Sequence, residues 1–170
     1  EATVVGGESD GLASPAQEVA TELGPSVVNI AMSGTMQGQQ YAGEGSGVIY
    51  TSAGMIVTNN HVVTDDNGGV VQNIEVTLTT GEKLQATVVG RDPLTDLAVI
   101  KVDAGKDLPA ATFNTDLPAV GEYAIAIGSP MGYENSVTLG IVSGIARSIE
   151  GVNGTEGVAL VPCRGGPFDL

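Results

Sequence analysis

The sequence contains no Trp, one Cys and one His. A lone Cys163 excludes an intrachain disulfide framework and a cysteine-rich zinc site. A lone His61 excludes a multi-histidine metal site within the chain. Basic residues are scarce: 6 Lys and Arg stand against 20 Asp and Glu, a formal net charge of −14 over 170 residues. So few cations cannot neutralise a row of phosphates, so neither a nucleic-acid partner nor contact with an anionic membrane surface is expected. No apolar run approaches the ~18 residues that a membrane-spanning helix needs. The acids lie along the chain without calcium-loop spacing, and no metal or organic cofactor is expected.

What is abundant is glycine, 25 residues or about twice the usual ~7% share, together with many Val and Ile. That composition predicts short strands joined by tight turns rather than disorder. Residues 1–14 are small, acidic and Gly/Ser-rich, as in a linker or arm. Ser14-Pro15 reads as an N-cap and first helical position for a short helix over 15–23, with Gly24 at C′. Strand signals follow at Val27–Ile30, Val48–Tyr50, Met55–Val57, Val70–Thr79, Lys83–Val89, Leu97–Val102, Tyr123–Ile127, Ser136–Ser143 and Gly157–Val161. In Val70–Thr79 the alternation is clean, with Ile74, Val76 and Leu78 on one face. The fold class is therefore all-β, a barrel or sandwich, with one short N-terminal helix.

Three segments hold side chains suited to chemistry. His61 lies in Thr58-Asn59-Asn60-His61-Val62-Val63, beside apolar strand residues. Such an imidazole is ordinarily structural; a catalytic base, or a metal ligand helped by Asp65 and Asp66, are the alternatives. Asp96 opens the apolar strand Leu97–Val102, 35 positions after His61. It reads as a turn or cap carboxylate, or as one that orients an imidazole in a nucleophile–base–acid triad. Cys163, in Val161-Pro162-Cys163-Arg164-Gly165-Gly166-Pro167, has no base among its chain neighbours and reads as an incidental thiol. Gly43-Glu44-Gly45-Ser46-Gly47 is rejected as a phosphate loop, because it feeds a strand and not a helix N-terminus.

Taken in order, several runs resemble the HtrA/DegP family of trypsin-like serine proteases. They are Gly45-Ser46-Gly47-Val48-Ile49, Gly54–Val63, Val89-Gly90-Arg91-Asp92-Pro93, Thr95–Ile100, Ala126–Gly132 and Val137–Gly144, and the likeness covers about residues 26–148. The resemblance implies a double β-barrel, with His61 as general base and Asp96 as its orienting carboxylate on the first barrel. It also implies unfolded protein or peptide substrates and an extracytoplasmic location. The expected organisation is a linker or arm over 1–14, the helix and a complete first barrel over 15–118, and an incomplete second barrel over 119–170.

The likeness fails where the family carries its nucleophile. Aligning Gly165-Gly166-Pro167 with the family's Gly-Asn-Ser-Gly-Gly-Pro/Ala motif puts Pro162 at the first Gly, Cys163 at the Asn and Arg164 at the Ser. Arg164 has no nucleophilic oxygen, and Pro162 lacks the N–H that would serve the oxyanion hole. The family's Gln-Thr-Asp-Ala run is missing, and the family's remaining strands and PDZ module would lie beyond Leu170. The expectation is a serine endopeptidase domain, inactive in this form. The alternatives are a pseudoprotease barrel used for binding, and a half-barrel that self-associates through its open second sheet.

Overall fold

The computed structural model describes residues 14–36, 39–65, 67–128, 136–144, 148–150 and 156–158. Helix α1 spans Pro15–Leu23, and the Ser14 hydroxyl accepts the Gln17 N–H at its start, as the N-cap reading required. Gly24 departs from the sequence expectation. It is right-handed, with φ −49° and ψ −45°, and opens a 3-10 turn, Gly24–Ser26. Lacking a Cβ, it escapes the clash that disfavours helical backbone before Pro25.

Six strands then close a barrel: β1 Val27–Met36, β2 Gln39–Thr51, β3 Met55–Asn59, β4 Asn73–Thr77, β5 Lys83–Asp92 and β6 Leu97–Val102. Their order round the barrel is β1-β2-β3-β6-β5-β4, with β4 pairing back onto β1. Closure leaves no sheet edge in this unit. Period-2 alternation sends Ile30, Ile49, Ile56, Val76, Ile100 and Val102 inward, each at most 1% exposed. Each such side chain contributes roughly 1.5–3 kcal/mol by leaving water. Ile74, Val76 and Leu78 are all buried, as their alternation predicted.

The rejected glycine loop is the middle of β2, and its glycines face the interior. A Cβ on Gly45 would lie 2.6 Å from Val62 Cγ2, and one on Gly47 would lie 2.8 Å from both Ile30 and Ile56. Glycine there makes room for the barrel core. Gly54 has a different role. At φ +92° it turns β2 into β3, and a Cβ would meet the Val102 carbonyl oxygen at 2.5 Å.

After β6 the chain runs back across the barrel end. Leu108 is buried and donates its N–H to the Ser52 carbonyl, and Phe113 packs edge-on against Tyr50. A turn at Ala119–Glu122 leads into β7, Tyr123–Gly128, which pairs with β8, Ser136–Ile141. Beyond these, β9 Ser148–Glu150 pairs with β10 Glu156–Val158. The sequence reading had no strand at 148–150, and it placed the last strand slightly later, at Gly157–Val161. The all-β expectation holds: the described residues form one closed barrel, further small sheets and one short α-helix. No described helix is long and apolar enough to cross a membrane.

Candidate active site

His61 and Asp96 come together because of one strand pairing. In the antiparallel β3–β6 ladder Asn59 is opposite Leu97. The residues that continue β3 therefore pass beside the residue that precedes β6, which is Asp96. After Asn59 the chain makes a 3-10 turn, Asn60–Val63, pinned by the buried side chains of Val62 and Val63. His61 stands on the outside of this turn.

Asp96 ends the four-residue turn that joins β5 to β6. Within that turn the Asp92 carboxylate accepts the Leu94 N–H at 3.0 Å and the Thr95 hydroxyl at 2.9 Å. Asp96 itself has φ +54°, and among the described residues it is the one non-glycine with positive φ. Aspartate tolerates this left-handed backbone better than most side chains do.

The contact between the two residues is double. Asp96 Oδ1 accepts the His61 main-chain N–H at 2.9 Å, and Oδ2 lies 2.7 Å from His61 Nδ1. Asn60 N–H donates to the Asp96 carbonyl at 3.0 Å. Asn59 Nδ2 reaches the same carbonyl at 3.2 Å and Oδ2 at 3.1 Å. The site is open, with the His61 side chain 71% and the Asp96 side chain 45% exposed.

Partial burial pushes the Asp96 carboxyl group up. Opposing it, the hydrogen bonds from the His61 main chain and ring, the attraction of the imidazolium and the Asn59 amide prevail, and hold the group below its ordinary value of 3.8. Asp96 is thus an ionised acceptor at neutral pH. A carboxylate on Nδ1 favours the tautomer with the proton on that nitrogen and leaves Nε2 as the basic one. The pair can therefore take a proton at Nε2 and stabilise the resulting imidazolium.

Sequence reasoning found both members of the pair and missed Asn59, which was visible only as part of the motif around His61. Its place opposite Leu97 follows from the strand register, which is not a local property. Arg164, the third site position, and its neighbours Pro162 and Cys163 lie outside the described residues. Among the described residues no group of His, Cys, Asp and Glu is arranged to hold a metal ion. A surface groove of about 550 Å³, bordered by Ala31, Glu44, Glu75 and Gln85, includes neither His61 nor Asp96.

A barrel that presents a carboxylate-oriented imidazole at its rim is the arrangement of trypsin-like peptidases. The chain belongs to that family: the trypsin-like peptidase domain matches residues 45–167. Among curated proteins it is 47% identical to a probable periplasmic serine endoprotease, DegP-like, of Chlamydia trachomatis over 111 residues, 65% of this chain and 21% of that protein. It is 46% identical to the periplasmic serine endoprotease DegP of Salmonella typhimurium over 114 residues, 66% of this chain and 23% of that protein. The chain thus spans little more than a fifth of the length of these relatives. Both are periplasmic by name, and the extracytoplasmic location implied by the resemblance stands.

Proposed function

We propose that this chain is the base-bearing part of a DegP-type serine endopeptidase domain, with His61 as general base and Asp96 as the carboxylate that orients it. One observation supports this above the others: Asp96 grips His61 twice, at the main-chain N–H and at Nδ1, over 2.9 and 2.7 Å. In such a site Nε2 takes the proton of a serine hydroxyl as it attacks a peptide carbonyl, then passes it to the leaving amine. The substrates would be unfolded proteins or peptides, as the DegP likeness implies.

On its own the chain is proposed to hydrolyse nothing, because Arg164 stands where the family has its serine. A half-site with base and carboxylate but no nucleophile keeps only the residual catalysis of binding and electrostatics. The same loss would leave a binding module, the alternative reading, although the intact His61–Asp96 geometry is what hydrolysis needs and binding does not. A further proposed partner is a second copy of the chain. In β7–β8, Tyr123 is opposite Ile141, Ile125 opposite Leu139 and Ile127 opposite Val137, so these six share one face of a two-stranded sheet. Tyr123, Val137, Leu139 and Ile141 are exposed.

Casein hydrolysis by the chain and by its Arg164→Ser variant tests the inactivity. Neither is expected to turn over, since Pro162 still removes an oxyanion donor, a loss of about 3 kcal/mol of transition-state stabilisation. Turnover that disappears in His61→Ala would overturn the proposed inactivity. Turnover that disappears in Cys163→Ala would instead assign the nucleophile to that thiol.

A further inference from the structure

The His61–Asp96 pair is held in an exposed place. With the imidazole 71% and the carboxylate 45% accessible, water competes for every acceptor on Asp96. The carboxylate also hangs from a main chain at φ +54°, a left-handed conformation uncommon for a non-glycine residue even though aspartate tolerates it better than most. The Asn60 N–H holds the Asp96 main-chain carbonyl at 3.0 Å, but both His61 contacts end on carboxylate oxygens, which turn with the side-chain torsions, so neither ties the carboxylate to the main chain.

Asn59 contacts both parts of Asp96. Its Nδ2 is 3.2 Å from the Asp96 main-chain carbonyl and 3.1 Å from Oδ2, the oxygen that also meets the imidazole. The two hydrogens of a primary amide suit two acceptors on one residue. Asn59 is itself fixed as the last residue of β3, paired with Leu97 and following Thr58, which is buried and bonded to the Ser46 carbonyl at 2.8 Å. We propose that Asn59 is a positioning residue: its amide clamps the carbonyl and the carboxylate of Asp96 together, and so holds Oδ2 on His61 Nδ1.

The side-chain type is specific. Aspartate at this position would offer no donor and would repel the Asp96 carboxylate, and leucine would keep the bulk without the amide. The Asn59 amide also contributes to holding the Asp96 carboxyl group below its ordinary value, after burial, which raises it, and the His61 interactions. The titratable group in contact with Asp96 is His61, on the turn after β3, and Asp92 lies at the start of the β5–β6 turn that carries Asp96. The Asp92 carboxylate is occupied by Leu94 and Thr95. Arg91 on β5 is spent on the Gly68 carbonyl.

The proposal rests on the catalytic reading only in calling the pair a base and its carboxylate; its test uses no substrate, so either can fail without the other. The Asp96 carboxyl carbon is titrated by NMR in the full chain, in Asn59→Ala, in Asn59→Leu and in the core variant Ile100→Val. The His61 Nδ1–H signal is followed alongside. Both Asn59 variants should move the Asp96 midpoint to higher pH and broaden the Nδ1–H signal through faster exchange. Ile100→Val should lower the melting temperature and leave both readouts at their original values. An unchanged midpoint and signal in a folded Asn59 variant would overturn the proposal. So would an equal shift in Ile100→Val, which would make the effect one of stability alone. Loss of the fold in both Asn59 variants would make Asn59 a fold determinant, and would overturn it equally.

Discussion

Asn59 and Leu97 are cross-strand partners in the β3–β6 ladder, and this pairing sets His61 beside Asp96. The barrel order β3-β6-β5-β4 is not the chain order, so the pairing closes a loop of nearly forty residues. A one-residue slip would turn every β6 side chain to the opposite face, moving Ala98, Ile100 and Val102 out of the core. Core packing and site geometry are therefore fixed by the same register.

The depressed Asp96 titration gives a pH dependence with a definite sign. A carboxylate whose folded value lies below its unfolded value stabilises the fold above the unfolded value, and the contribution disappears as pH falls through the folded one. Asp96→Asn should therefore be less stable than the parent chain at about pH 7, with the gap closing below the ordinary value of 3.8. Urea midpoints of both proteins across that range measure it. A gap that widens on acidification would contradict the assignment.

Glycine in the interior of β2 predicts a packing penalty. In Gly47→Ala the new Cβ would lie 2.8 Å from Ile30 and from Ile56, and 3.2 Å from the Val57 carbonyl oxygen. Overpacking of this kind costs about 1–3 kcal/mol. Ile100→Ala, which empties a fully buried position, should cost about 2–5 kcal/mol. Thermal unfolding should register both, and Val89→Thr at an exposed position should stay within about 0.5 kcal/mol of the parent.

A chelator should leave the melting temperature unchanged, because the fold is held by the apolar barrel interior and by no described metal-ligand cluster. A fall of several degrees on adding EDTA would contradict this.

The exposed face of β7–β8 predicts concentration-dependent self-association. The net charge of −14 opposes it, so association should strengthen as salt shortens the screening length to ~8 Å at physiological ionic strength. Light scattering should report a mass that rises with concentration, and Leu139→Lys should restore the monomer. A parent chain that stays monomeric at high concentration, with β7 and β8 amides well protected from exchange, would refute it.

Much of this architecture is legible in the sequence, because period-2 alternation is a local signal. Ile74, Val76 and Leu78 announce their buried face, and Ser14-Pro15 announces the helix start. The limits of the strands are less legible. β4 begins at Asn73, not Val70, because Val70 bridges Thr64 and the Val71 N–H goes to the Val63 carbonyl. β2 begins at Gln39, nine residues before its first apolar run, since glycines stand where an inward side chain would be read. His61 and Asp96 are legible through motif context and their apolar flanks. Asn59 is not, because its role exists only once β3 and β6 are in register.

The His61–Asp96 pair is proposed to be a competent base and carboxylate that lacks a nucleophile. Casein hydrolysis is measured for a hybrid in which residues 14–144 of this chain continue into the remainder of the Salmonella typhimurium periplasmic serine endoprotease DegP. The hybrid should hydrolyse casein, and turnover should fall by a factor of about 10⁴ or more in His61→Ala and severely in Asp96→Asn. A folded hybrid with no turnover above its His61→Ala variant would contradict it.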